Sequence, residues 1–315
     1  MIIHLNGRLV PHAEARISPF DRGLLFGEGI YEGLRSFGVE GRAHVFAEAW
    51  HWSRLREGLA AARIGFDPGR LSDATRELLE ASGLADAFVY WQITRGAPAP
   101  GQPCRSRVPR GPERPTVLGF ATPQPALDSF ALPAPRRVVT VPDRRWAHGH
   151  VKSISLMGNV LVALEAETRG VDDAILIRDG LVSEATATNV ALVVPDGRGG
   201  AQVVTPALDS APILAGVTRA VLLAEPDLGV VERPVGASEL ERATEVMLLG
   251  TSTMVASVVE IDGRPVGDGR PGPHAARLLE RLCQLIRSEA RGRAPEGGPG
   301  VQTRPAREAQ TSRAG

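Results

Sequence analysis

The sequence predicts a mixed α+β chain built as two domains, and three observations lead to that reading. Segments with two-residue apolar alternation interleave with segments of 3.6-residue period, without the regular strand-helix-strand count of a doubly wound sheet. The proline-rich stretch ATPQPALDSFALPAP at 121–135 suits an extended linker. It separates a smaller domain at 1–120 from a larger one at 136–288. From Glu289 onward Arg, Gly, Pro, Ala and Gln replace the large apolar residues, so 289–315 reads as a disordered tail.

Along the chain, HLNGRLV at 4–10 alternates around Asn6-Gly7, a dipeptide suited to a tight hairpin. Strands follow at 30–37 and 42–46. Over 48–64 the period lengthens: Trp52, Leu55, Leu59 and Ala62 form one helical stripe, while His51, Arg54 and Gly58 share a different face. A second helix is predicted over 67–82, then a buried strand AFVYWQIT at 87–94. Pro, Gly and Arg crowd 96–115 into a loop, and a short strand covers 116–121. In the second half, strands are expected at 138–141, 174–178, 190–194, 203–205, 245–249 and 255–261, with helices at 153–169, 215–224 and 273–288. In the first of these helices Met157, Leu161 and Leu164 make one apolar stripe and Leu156, Val160 and Ala163 its neighbour. That pattern predicts a largely buried helix.

Composition narrows the function classes. The 315 residues carry 36 Lys+Arg against 36 Asp+Glu, and the pI is about 7.1. This balance leaves no electrostatic footprint for nucleic acid or an anionic membrane. The longest apolar runs fall far short of the ~20 residues that span a bilayer. No secretory signal is visible at the start, and Cys104 and Cys283 lie too far apart for a disulfide framework or zinc site. A cytoplasmic protein is the expectation. Among the basic residues only Lys152 is lysine. A GC-rich coding bias explains the arginines, and a lysine that survives it is a candidate for chemistry that needs an amine, because guanidinium stays protonated and is no nucleophile.

Lys152 stands in VKSISLMGN, just before the strongly helical segment. Burial there would lower its pKa and favour a Schiff base; a lysine snorkelling at a helix start fits the position equally well. Glu184 sits in a small-residue stretch after the Asp179-Gly180 turn. Gly216, Val217 and Thr218 open an apolar helix, where free backbone N–H groups and a hydroxyl can receive a phosphate, or simply cap the helix. GTSTM at 250–254 offers more hydroxyls and amides, and Arg54, off the apolar stripe of its helix, can complete an anion cup.

Together these segments resemble the fold type IV, or class IV, pyridoxal-phosphate aminotransferases. That group includes branched-chain aminotransferases, D-amino acid transaminases, (R)-amine transaminases and aminodeoxychorismate lyases. The resemblance is carried by SPFDRGLLFGEGIYEGLRSF (18–37), HWSRL (51–55), VKSISLMGNVLVALEAETRGVDDAIL (151–176), SEATATNVALV (183–193), ILAGVTR (213–219) and GTSTMVASVVEIDGRPVGDGRPGP (250–273). It implies a two-domain homodimer with pyridoxal 5'-phosphate between the domains and an amino acid and a 2-oxo acid as substrates. By the same resemblance Lys152 holds the cofactor and later moves the substrate proton. Arg54, the Val217 and Thr218 amides and Thr251 match the phosphate cup, and Glu184 matches the carboxylate beside the pyridine nitrogen. Tyr31, Arg35, Tyr90, Gln92 and Ser252 match substrate-pocket positions.

The subfamily features divide. YEGLRSF with Arg35 looks like the branched-chain enzymes, whereas VYWQITRG resembles the D-amino acid transaminases, with Gln92 where branched-chain enzymes place an arginine. SISLMGN is near the D-amino acid form. The Arg and His that clamp the substrate carboxylate in D-amino acid enzymes are missing from APAPGQ at 97–102. Arg35, Arg95 and the arginines of 105–114 are the candidates for that role. The resemblance therefore favours a D-amino acid aminotransferase acting on a substrate such as D-alanine. Its alternatives are a branched-chain L-amino acid aminotransferase, an aminodeoxychorismate lyase and, last, a cofactor-binding protein without turnover.

Overall fold

A computed structural model describes residues 1–109 and 114–292. The first half builds one antiparallel sheet with helices on it. Its elements are β1 (Ile2–Leu5), β2 (Arg8–Pro11), α1 (Arg22–Phe26), β3 (Gly29–Val39), β4 (Arg42–Val45), α2 (Glu48–Ala61), α3 (Leu71–Ser82), β5 (Ala87–Thr94) and β6 (Thr116–Pro123). The strand order is β2-β1-β6-β5-β3-β4. Leu34, Val89 and Trp91 from the sheet pack on Leu55, Leu59 and Leu78 from the helices. The Trp91 indole N–H is satisfied by Thr75 Oγ1 at 3.0 Å, as burial of an aromatic with a polar handle requires.

The second half adds β7 (Ala134–Pro142), α4 (Met157–Thr168), β8 (Asp173–Arg178), β9 (Leu181–Ala185), β10 (Asn189–Pro195), β11 (Ala201–Pro206), α5 (Val217–Leu223), β12 (Val231–Arg233), β13 (Glu245–Gly250), β14 (Met254–Ile261), β15 (Arg264–Pro265) and α6 (Pro273–Ala290). The path is β12-β11-β10-β13-β14-β7-β8-β9, with β15 beside β14. Parallel pairs at β7/β14, β7/β8 and β11/β12 make this sheet mixed. One apolar cluster takes Phe37, Phe46 and Trp50 from the first half and Met247, Leu249, Leu278 and Leu282 from the second, so the two sheets share a core. No helix among the described residues is long and apolar enough to cross a membrane.

Three sequence expectations are corrected. The helix after Lys152 is not largely buried. Only Val162 and Ala166 of α4 are buried, packed with Val139, Val141, Ala174 and Leu176 of β7 and β8, while Met157 is 70% and Leu161 59% exposed. The stripe that meets the sheet is neither of the two expected: Met157, Leu161 and Leu164, and likewise Leu156, Val160 and Ala163, all face outward. That helix also starts at Met157, because residues before it are held extended by β3. Finally, α6 runs to Ala290 and keeps Glu289 out of the tail: its carboxylate accepts the Ala47 N–H at 3.0 Å, satisfying an otherwise uncapped start of α2. The rest of the expected tail, 293–315, lies outside the described residues.

Candidate active site

Lys152 is positioned by backbone pairing. Tyr31 N–H donates to Lys152 O at 3.0 Å and Ile154 N–H donates to Gly29 O at 3.1 Å, so the chain just before α4 lies along the first residues of β3. The ammonium nitrogen then stands 4.4 Å from the centre of the Tyr31 ring, close enough for a cation–π contact.

The cavity that Lys152 lines also holds a guanidinium. Arg54 on α2 is turned inward and held by Glu32 on β3: Nε donates to Oε2 at 3.0 Å and Nη2 to Oε1 at 2.5 Å. Its Nη1 donates to Ala215 O at 2.9 Å, which ties α2 to the segment before α5. His51 Nδ1 lies 3.0 Å from Glu32 Oε1; the carboxylate can only accept, so the ring donates. Burial alone would raise the Glu32 carboxyl, but Arg54 and His51 hold it far below the usual carboxylate range. Burial also pushes the His51 ring down. The pattern that put His51, Arg54 and Gly58 on one helical face is explained here. Gly58 lets α2 approach β3, since a Cβ would meet Ile30 Cγ2 at 2.9 Å.

Gly216 precedes α5 with no side-chain cap on the helix. A Cβ at Gly216 would stand 1.8 Å from Asn189 Oδ1, so only glycine brings this backbone against β10. Gly216, Val217 and Thr218 line the cavity with Gly250, Thr251 and Thr188, and the Thr188 hydroxyl is buried without a partner. A set of one guanidinium, an uncapped helix start and an unused hydroxyl matches an anion such as a phosphate.

The same cavity holds a carboxylate. Glu184 projects from β9, and its Oε2 accepts Leu214 N–H at 3.0 Å and Asn189 Nδ2 at 3.4 Å. Its Oε1 accepts Arg145 Nη1 at 2.6 Å. Arg145 is in turn gripped by Asp143, through Nε at 3.0 Å and Nη2 at 3.1 Å. Burial raises the Glu184 carboxyl, with Arg145 pulling against it. Asp143, flanked by Arg145 and Arg178, is held low despite its own burial.

Tyr31, Arg54, Lys152, Glu184, Val217, Thr218 and Thr251 therefore line a single cavity. Arg35, Tyr90, Gln92 and Ser252 are not in its lining. Tyr90 stacks on Tyr31 at 5.6 Å, and its hydroxyl donates to Gln92 Oε1 at 2.8 Å. Arg95, a candidate for the substrate carboxylate, spends its guanidinium on Glu28 at 2.5 Å and on the carbonyls of Arg63 and Ala62. Arg35 donates to the carbonyls of Ser252 and Pro125. Arg105 lies over the Phe26 ring at 5.5 Å, and Arg110 falls outside the described residues. Sequence reasoning missed Glu32, Asp143, Arg145 and Asn189. Glu32 had a signal, since it alternates with Tyr31 on β3 and faces the side where Arg54 arrives. Arg145 had none, being one arginine among many.

An amine, an anion cup and a buried carboxylate in one cavity suit a flat ligand with an anionic end, an electrophilic carbonyl and a basic ring atom. Comparison with known proteins agrees with that chemistry. Residues 29–261 match the family model for amino-transferase class IV. A D-alanine aminotransferase of Bacillus licheniformis is 31% identical over 92% of this chain and 98% of its own length. A putative branched-chain-amino-acid aminotransferase of Methanocaldococcus jannaschii is 32% identical over 90% and 96%. A T.th. branched-chain amino acid aminotransferase, solved with pyridoxamine 5'-phosphate, superposes with a TM-score of 0.78 at 28% identity, covering 94% of this chain and 95% of that one.

Proposed function

The chain belongs to the pyridoxal-phosphate-dependent class IV aminotransferases, and from that premise we propose that it transfers the amino group of a D-amino acid such as D-alanine to a 2-oxo acid. The observation that carries the aminotransferase chemistry is the placement of Lys152 Nζ against Tyr31 in the cavity that also holds Arg54 and Glu184. Bound pyridoxal 5'-phosphate supplies an electron sink for the charge that develops at the substrate Cα. The Lys152 amine holds that group and carries the proton from Cα. Glu184 would supply the negative charge that pairs with the pyridine nitrogen. Arg54, pre-oriented by Glu32, binds the phosphate with the Val217 and Thr218 amides and Thr251. Tyr31 faces the substrate from the cavity wall, with Tyr90 stacked behind it and Gln92 bonded to Tyr90.

The D-amino acid preference is supported by Gln92, whose amide oxygen is taken by Tyr90 and which brings no charge to a position where branched-chain enzymes use arginine. The similarities to the M. jannaschii and T.th. proteins favour the second reading, a branched-chain L-amino acid substrate. We take 1–120 and 136–288 as the two domains, 121–135 as the linker, and a homodimer as the working unit. The apolar face of α4, with Met157, Leu161 and Leu164 at least half exposed in one chain, supports the pairing. A cytoplasmic setting fits cysteines that stand free, one exposed and one buried.

Half-reactions decide the substrate. Enzyme given D-alanine without an acceptor is expected to lose the visible absorbance of its cofactor and release pyruvate, whereas L-leucine does so slowly or not at all. The opposite order makes the branched-chain reading correct, and no response to any amino acid sinks the aminotransferase reading.

A further inference from the structure

Arg35 is 1% exposed and takes part in no ion pair among the described residues. The charge of Asp86 acts on it without contact, and a buried guanidinium without an ion-pair partner is costly unless dipoles replace the water it has lost. Here Nη1 donates to Ser252 O at 3.1 Å and Nη2 to Pro125 O at 2.5 Å. The rings of Phe37 and Phe130 lie 4.7 Å and 4.9 Å from its Cζ, offering two π faces to the cation. The Nε proton has no partner. Arg35 therefore bolts three segments together: β3, the 121–135 linker, and the turn between β13 and β14.

That turn is the hairpin connection 251–253, closed by the Gly250–Met254 pair, and its first residue, Thr251, lines the cavity. A peptide unit is planar, so fixing the Ser252 carbonyl also fixes the direction of the Thr253 N–H on the far side of the same plane. We propose that Arg35 is a positioning residue, which holds the 251–253 turn against the linker and so sets where Thr251 stands at the phosphate end of the cavity. It touches neither substrate nor cofactor. The planar guanidinium presents one Nη to each carbonyl in a fixed fork, whereas a lysine ammonium is a compact point charge on a flexible stem. The inference rests on the cofactor reading above.

The test is a titration of apo-protein with pyridoxal 5'-phosphate, followed by fluorescence, for wild type, Arg35→Met and Arg35→Lys. The dissociation constant is expected to rise about tenfold in Arg35→Met, the scale of one lost hydrogen bond to a charged group, and by less in Arg35→Lys. With cofactor and amino donor saturating, kcat is expected to stay within about threefold of wild type, because no transition-state contact is removed. If Arg35→Met does not fold, Phe130→Leu, which removes one π face and leaves both hydrogen bonds, is expected to weaken cofactor binding about threefold. Unchanged cofactor affinity in the folded variants overturns the inference. So does a raised KM for the amino donor with cofactor affinity intact, the signature of an arginine that binds substrate directly. Wild-type protein that took up no cofactor would instead sink the functional reading on which the inference stands.

Discussion

Arg145 governs the charge of Glu184. A carboxyl this buried rises in pKa unless a cation faces it, and the contact at 2.6 Å from Arg145 Nη1 is its one ion pair among the described residues. Replacing Arg145 with Met leaves Glu184 with two neutral donors and lifts its pKa further. In the proposed function the ionised form serves the ring nitrogen, so the acidic limb of the kcat/KM profile is expected to move to higher pH. A cost of about 3–5 kcal/mol in stability accompanies it, as when a buried pair loses one partner. A pH–rate profile with an unmoved acidic limb would refute the coupling. At this scale the sequence is legible where chemistry leaves a compositional trace. Lys152 stands out as the only lysine in the chain. Arg145 cannot stand out among so many arginines, and only its contacts with Asp143 and Glu184 distinguish it.

The packing of α2 on β3 carries the buried charges that make the fold sensitive to acid. Glu32 is depressed from its ordinary value of 4.5 and His51 from 6.5. Groups with lowered folded pKa values add stability that is present above the unfolded values and is lost as pH falls through the folded ones. Both contributions therefore fade in the same direction: His51 begins to lose its share below 6.5, and Glu32 below 4.5. The melting temperature of wild type is expected to drop steeply between about pH 5 and pH 3, and Glu32→Gln, already less stable at pH 7 by about 3–5 kcal/mol, is expected to show a flatter decline. Parallel curves for the two proteins would show that the acid sensitivity lies elsewhere. The elements themselves are readable: the strand expected at 87–94 coincides with β5 (Ala87–Thr94), and the stripe of Trp52, Leu55 and Leu59 is buried as its period requires. Glu184, expected in a stretch before a strand, lies inside β9. Periodicity could not show this, because a strand buried on both faces has no polar alternation to read.

Helix α4 shows at the scale of the molecule what an apolar pattern does and does not say. Its outward apolar residues call for a cover, but the pattern is the same whether that cover is the chain's own core or another chain. The stripe reads as core in the sequence, yet within one chain Leu161 and Leu164 are 59% and 50% exposed. Phe20 at 52%, Leu24 at 71% and Trp146 at 48% are exposed as well, more apolar surface than scattered residues on a monomer usually show. The Ser155 hydroxyl, just before α4, donates to Gly27 O at 3.0 Å, which fixes the loop after α1 beside α4 and supports reading Leu24 and α4 as parts of one surface. A second copy is the proposed cover. On that proposal Leu161→Glu places a carboxylate inside an apolar interface, and burying it unpaired costs several kcal/mol. Sedimentation is expected to show wild type as a dimer at micromolar concentration and the variant as a monomer, the dissociation constant rising at least about a hundredfold, the equivalent of ~2.7 kcal/mol. In a lone chain position 161 is solvated, so the variant monomer is expected to keep its far-UV circular dichroism. A wild-type protein that sedimented as a monomer would leave this face without its proposed partner.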